Sequence, residues 1–491
     1  RLGHGVINST SVVLATVSLK EFDSNDALLV DGVYVCKLTE GVTTTLDSLT
    51  TPTILNNLSL KDAKIISFKN KMYIFSQGND VLVYDGITLT NLSDAANYFP
   101  PQDGASPTAP NILAPLLDGN VAMAAYGRLW VTGVNDNFNT IYYSDLLIPE
   151  VWYDGYTPVT DPLNTAGVLD IAEYWPNGED RIVNLVAHNN ALYVFGRNSV
   201  LIYNNAATGD PAGADGIFLA DTISNLGLVS RDAVTNIGSD VLFVDDSGVR
   251  SLGRTIQEKS VPIGDLTYNV RRDVTSQITV TQDKKTISLS YWPDEDVTVL
   301  LFSESNYAFA LEMRAPSQTG GHKVTQFTRC FFNRALYYEA EGVSRSILAS
   351  NTGNGVLEYK GYTEYSNIAY DFKWQSTVLT FGQASNLKFL KQIDYTIVTT
   401  GVDNDAFAGW GFNGRLSYTK PLFLKGQSST LFGVGQFAED DYSEDASRIR
   451  RYRVNTKGSG ESIVIGIRVS IQGNSCSLQE LNVQTLLGRI T

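Results

Sequence analysis

The 491 residues include only three Cys, three Met and three His, and no stretch approaches the roughly 20 apolar residues that a membrane-spanning helix needs. Each scarcity removes a class of function. Cys36, Cys330 and Cys476 are far apart and odd in number, without Cys-x-x-Cys spacing. They indicate neither a disulfide framework nor a zinc site, and read as small buried apolar side chains of a protein made in a reducing compartment. His4, His188 and His322 have no His-x-x-x-His spacing and no cysteine nearby, so no metal set emerges. His188, in "LVAHNNALY", reads as a turn residue rather than a base. The opening "RLGHGVINSTS" lacks the basic flank and apolar stretch of a signal peptide. There is no Gly-x-Ser-x-Gly elbow, Walker loop or sialidase-type Asp box, and the glycine clusters "GNGVLEYKG" and "GWGFNG" fit turns. Positive charge is also short, with 37 Lys+Arg against 52 Asp+Glu and a formal net charge of −15. Such a surface repels phosphates rather than collecting them.

What is abundant is strand-forming sequence: 25 Tyr, 11% aromatics and 43% hydrophobic residues. A hairpin grammar recurs, as in "NKMYIFSQGNDVLVYDG", "GRLWVTGVNDNFNTIYYSD", "NNALYVFGRNSVLIYN" and "GSDVLFVDDSGVRSLG": a short aromatic strand, a Gly/Asn/Asp turn and a second strand. Anchors at Leu28, Tyr73, Leu129, Tyr193, Leu242, Leu289 and Leu336 are separated by 45, 56, 64, 49, 47 and 47 residues. Once insertions near 95–118 and 153–180 are removed, this period of roughly 45 to 50 is that of a four-stranded propeller blade. The expectation is therefore an all-β chain, with a β-propeller of six or seven blades over residues 1–360. Tyr73, Phe75, Trp130, Tyr193, Phe195 and Phe243 should fill the spaces between blades. "SVPIGDLTYNVRRDVTSQ", from Ser260, is the best helix candidate, with Ile263, Leu266 and Val270 at helical spacing. After about Asn354 longer alternating strands predict a C-terminal β-sandwich-like domain over 365–491.

Carboxylates are the one plentiful catalytic group. Asp294, Glu295 and Asp296 of "YWPDEDV" could contribute to a glycosidase pair, although a hairpin tip ordinarily just solvates its acids. Asp245 and Asp246 could mimic a calcium turn but lack further ligands. In "EDDYSEDASRIRRYR" five acids, Glu439, Asp440, Asp441, Glu444 and Asp445, precede Arg448, Arg450, Arg451 and Arg453. This segment reads either as an edge strand blunted by charge or as an intersubunit seam in which the acid loop meets a neighbour's arginines.

Three segments carry a family resemblance. "GRLWVTGVNDNFNTIYYSDLLIPEVW", "DRIVNLVAHNNALYVFGRNSVLIY" and "ISNLGLVSRDAVTNIGSDVLFVDDSGVRSLG" resemble, in order, segments of the tail nozzle proteins of short-tailed bacteriophages. These are also called tail tubular protein B or packaged-DNA stabilisation proteins. The closing "IVIGIRVSIQGNSCSLQELNVQTLLGR" is similar to their terminal strands. The resemblance implies a virion structural protein, made in the host cytoplasm, whose homohexameric ring retains packaged DNA and conducts it during ejection. The implied partners are a tail adaptor protein, tail fibres or spikes, and passing DNA. It implies no catalytic, cofactor-binding or metal-binding residues, no cofactor, no small-molecule substrate and no enzymatic activity. The rival readings are a propeller-fold glycosidase and a receptor-binding adhesin or lectin displaying Trp152, Tyr153, Tyr156 and Trp410.

Overall fold

A computed structural model describes residues 2–22, 28–38, 46–48, 62–94, 117–152, 165–206, 216–258, 265–314, 322–340, 342–350, 356–359, 369–383, 385–399, 403–425, 448–473 and 475–490. The chain divides into two compact units, Arg1–Tyr359 and Lys360–Thr491.

Among the described residues the first unit holds seven antiparallel sheets, each from one stretch of the sequence and each a meander, save that blade 3 adds one strand off that path. Blade 1 comprises β1 (Leu2–Ile7), β2 (Thr10–Phe22), β3 (Leu28–Leu38) and β4 (Leu46–Ser48). Blade 2 comprises β5 (Lys64–Phe68), β6 (Lys71–Phe75), β7 (Leu82–Tyr84) and β8 (Leu89–Asn91). Blade 3 has five strands, β9 (Val121–Ala125), β10 (Arg128–Val134), β11 (Asn137–Asp145), β12 (Ile148–Trp152) and β13 (Gly167–Asp170). Blade 4 is β14 (Ile182–His188), β15 (Ala191–Gly196), β16 (Ser199–Asn204) and β17 (Phe218–Ser224). Blade 5 is β18 (Val234–Asn236), β19 (Val241–Asp245) and β20 (Gly248–Ser251), followed by helices α1 (Leu252–Glu258) and α2 (Arg271–Val280). Blade 6 is β21 (Ile287–Trp292), β22 (Val297–Phe302), β23 (Tyr307–Glu312) and β24 (Lys323–Thr328); blade 7 is β25 (Phe332–Ala340), β26 (Val343–Ser350) and β27 (Val356–Glu358).

Local chemistry dictates the hairpins. Asn8-Ser9, Lys69-Asn70, Asn135-Asp136 and Asn189-Asn190 all take positive φ at both positions, the type I′ geometry that Asn tolerates and that matches strand twist. The turns fix the register directly, pairing Ile7 with Thr10, Phe68 with Lys71 and His188 with Ala191. The second strands of blades 2, 4 and 5 carry continuous apolar runs such as "MYIF" and "ALYVF", because both faces of each sheet pack against neighbours. Tyr73 and Phe75 pack with Leu129, Val131 and Trp152 between blades 2 and 3, and Trp130 packs with Leu192 and Val194 between blades 3 and 4. Tyr193, Phe195 and Phe243 share the core joining blades 4, 5 and 6. Burying each such aromatic stabilises the fold by about 1.5–3 kcal/mol. The first strands of the blades are innermost: β1 neighbours β5, β5 neighbours β9, β9 neighbours β14, β18 neighbours β21, and β25 closes the ring onto β1. The result is a seven-bladed β-propeller.

The second unit is a sandwich of two sheets. One has the order β28 (Tyr370–Gln375), β34 (Ile463–Ile471), β30 (Asn404–Phe412), β31 (Arg415–Leu424). In the other, β29 (Asn386–Thr399) lies between β35 (Cys476–Ile490) and the in-line pair β32 (Arg448–Asn455) and β33 (Ser459–Gly460). Period-two alternation sends Ile393, Tyr395 and Ile397 into the core against Trp410, Ile465 and Ile467, and leaves Asp394 and Thr396 on the outer face.

Three expectations change. The hairpin anchors do not mark one position in every blade: Leu28 lies on a third strand, Tyr73, Leu129, Tyr193 and Leu242 on second strands, and Leu289 and Leu336 on first strands. Any two adjacent strands give the same hairpin pattern, so the spacing counts blades without fixing their phase. Within the expected helical segment, residues 260–264 lie outside the described residues and the described α-helix begins at Arg271, burying Val274 and Ile278; before it, the Asp265 carboxylate accepts from Thr267 N and Oγ1, holding a turn there. Part of the insertion at 153–180 is β13, a fifth strand for blade 3, while the rest of it up to residue 164 lies outside the described residues, as do 95–116.

Candidate functional site

The innermost strands β5, β9, β14 and β18 surround an axial cavity of about 280 Å³, lined by Lys64, Ile66, Ala122, Asn184, Val186 and Thr235 among others. A charged group collects where these strands begin. Asp62 stands two residues before β5, Asn120 one before β9, Arg231 and Asp232 just before β18, and Lys285 two before β21, while Arg334 is the third residue of β25. Because all innermost strands run the same way about the axis, their N-terminal residues converge on one mouth.

Arg231 is the centre of this group, with 9% of its side chain exposed. Its Nη1 donates to the carbonyls of Asp62 at 2.8 Å and Asn120 at 2.7 Å. Its Nη2 donates to Asp62 Oδ1 at 3.3 Å and Asp232 Oδ2 at 3.4 Å. Burial works against the charge, but the Asp232 and Asp62 carboxylates outweigh it and hold the guanidinium even more firmly protonated than usual. Arg334 Nη2 donates to Asp232 Oδ2 at 3.0 Å and to the Lys285 carbonyl at 2.7 Å, and Lys285 Nζ lies 3.3 Å from Asp62 Oδ2. Asn184, which lines the cavity, donates to the Arg231 carbonyl at 2.7 Å and so ties cavity and mouth together. Two carboxylates bonded to one guanidinium nitrogen cannot have those oxygens more than about 7 Å apart, which brings both acids within reach of one glycosidic bond.

None of these residues stands out in the hairpin alignment. A signal was nonetheless present: aligned on innermost strands, "KDAKIIS", "DGNVAMA", "SRDAVTN" and "DKKTISL" each place a charged or polar residue within the three positions before the strand. The residues that the sequence did single out lie elsewhere. Asp245 is bound by Arg250 Nε at 2.6 Å and Asp246 by Arg197 at 2.7 Å. Asp294 accepts from Tyr337 Oη and Asp296 from Tyr291 Oη, at the end of β21 away from the charged mouth. Beside them, partial burial and then the Asp294 carboxylate push the Glu295 carboxyl above its ordinary range. Trp152 and Trp410 are buried and cannot form an adhesin's aromatic patch, and Tyr153 and Tyr156 lie outside the described residues. So do Glu439, Asp440, Asp441, Glu444 and Asp445. Arg448, Arg450, Arg451 and Arg453 lie on β32, which among the described residues pairs with β29 alone; Arg451 and Arg453 both bind Asp394 of their own chain, at 2.6 and 3.2 Å. Burial raises the Cys330 thiol to about 12 and the Cys476 thiol to about 11, so neither is a ready nucleophile.

Fold and site together define a seven-bladed propeller with a charged axial mouth. No protein-family model and no curated protein matches the chain. Solved structures do. A Lactobacillus plantarum protein is similar at 12% identity and a TM-score of 0.42, over 72% of this chain and 92% of its own. An exo-β-1,3-galactanase from Phanerochaete chrysosporium is similar at 11% identity and a TM-score of 0.27, over 98% and 95%. A glycoside hydrolase family 43 arabinoxylan arabinofuranohydrolase from Bacillus subtilis matches at 12% identity and a TM-score of 0.22, over 98% and 95%. The expectations of a tail nozzle and of a protein without enzymatic activity are corrected here, since the matched structures include carbohydrate-cleaving enzymes and those named contain no tail protein. Likeness at these scores concerns the fold, and the axial residues must carry the functional reading.

Proposed function

We propose that this protein is a propeller-fold glycosidase whose acid pair is Asp62 and Asp232. One observation carries the reading: two carboxylates 170 positions apart in sequence meet on Arg231 at the mouth of the axial cavity. Glycoside hydrolysis needs one carboxyl group to protonate the leaving oxygen and a second to activate water or attack the anomeric carbon. Blades from distant parts of the chain supply that pair on rigid strand ends, which suits a fixed spacing. Arg231 and Arg334 orient the carboxylates, and Asn120 Nδ2, 3.4 Å from Asp62 Oδ2, adds a third donor.

Release of reducing ends by the purified full chain across a panel of polysaccharides tests this. Asp62→Asn and Asp232→Asn should each lower turnover by about 10² or more, the scale of a lost acid–base group, while circular dichroism stays unchanged. No turnover on any polysaccharide, or full turnover in either variant, would overturn the proposal.

A further inference from the structure

The charge at the mouth is not balanced. Arg231, Arg334 and Lys285 present three cations to the carboxylates Asp62 and Asp232, in a chain whose formal net charge is −15. Lys285 is 71% exposed and, among the described residues, ion-pairs with Asp62 alone, whereas Arg231 is enclosed. Two polar atoms of the group, Arg334 Nε and Ser230 Oγ beside Arg231, are buried without a hydrogen-bond partner among the described residues. An unpaired polar atom is destabilising by itself, so the mouth is not a fully satisfied ion-pair cluster. The cavity of about 280 Å³ is near the lower bound for ligand pockets, room for about one sugar ring.

We infer that the mouth selects saccharides bearing a carboxylate, a uronic acid residue, with the acid group received by Arg334 and Lys285. This rests on the glycosidase reading for the sugar and on the surplus cation for the carboxylate. Charge-assisted bonds from guanidinium and ammonium to carboxylate are the stronger class of hydrogen bond, and the chain's overall negative field makes a local positive mouth selective by contrast.

Calorimetric titration of the full chain with a galacturonate oligomer and with the neutral galactose oligomer of equal length separates the two claims. Binding of the acidic oligomer should be at least tenfold tighter, and raising salt from about 0.05 to 0.5 M should shrink the preference. Lys285→Gln, at an exposed position that leaves the fold intact, should remove most of it, and Arg334→Gln the rest. Equal affinity for the two oligomers, or a preference that survives Lys285→Gln and Arg334→Gln, overturns the inference even if neutral polysaccharides are hydrolysed. Selective acidic binding without any hydrolysis would uphold it and sink the glycosidase reading instead.

Discussion

Arg231 shows why single residues were the least legible level of this molecule. Its partners come from positions 62, 120 and 232, and "LVSRDAVTN" reads locally as an ordinary turn before a strand. No spacing rule reaches across 169 residues, so only ring closure brings Arg231 and Asp62 together. The local chemistry that was legible, such as Asn in type I′ turns, needs no partner beyond the next residue. The same enclosure makes Arg231 sensitive to change. Arg231→Met removes the cation, leaves two main-chain carbonyls without their donor and sets Asp62 against Asp232. Breaking an enclosed ion pair from one side typically destabilises by 3–5 kcal/mol; Lys285 and Arg334 still screen the two acids, so about 3 kcal/mol is expected. A denaturant midpoint unchanged from wild type would show that the cluster does not hold the ring.

At the scale of elements, periodicity made strands and their number readable, while sheet order and the phase of the blades depended on which strand lies innermost. β29 and β32 illustrate what alternation does convey. Arg451 and Arg453 fall on one face, opposite Arg450; register sets Arg453 across from Asp394 and Arg451 across from Thr396 on the same face, and both side chains reach the Asp394 carboxylate. What alternation did not convey was that the carboxylate between them belongs to the same chain. Covering by its neighbours tends to raise the Asp394 carboxyl, but hydrogen bonds from Arg451, Gln392 and Arg453 outweigh this and hold it below the usual range. A lowered folded-state pKa stabilises above the unfolded value of about 3.9, and the contribution is lost as pH falls through the folded value. Asp394→Asn should therefore be less stable than wild type at pH 7, with the gap closing progressively below about pH 4. A gap that stays constant from pH 7 to pH 2 in paired denaturation curves would show that this carboxylate is not the source.

At the scale of the whole molecule, the change of strand grammar near residue 354 lies close to the division between the units at Tyr359 and Lys360. Each unit has cores of its own. In the propeller, blade follows blade through shared apolar clusters, and the last seam, between blades 7 and 1, rests on Val13, Tyr338, Ile347 and Val356 with His4 stacked on Tyr338. Each blade is one continuous segment, so among the described residues no strand is exchanged to clasp the ring; closure depends on side-chain packing and on the axial cluster that links blades 2, 3, 5, 6 and 7. A closed ring has no end at which to fray, so the propeller should unfold as one cooperative unit, unlike an open array of repeats. The sandwich closes its own core around Tyr395, Trp410 and Ile465 and should do the same separately. Calorimetry of the full chain should accordingly show two transitions. Arg231→Met should lower one of them and Asp394→Asn the other, because the two changes lie in different cores. A single transition moved by both substitutions would mean that the units unfold as one body, and the independence argued here would fail.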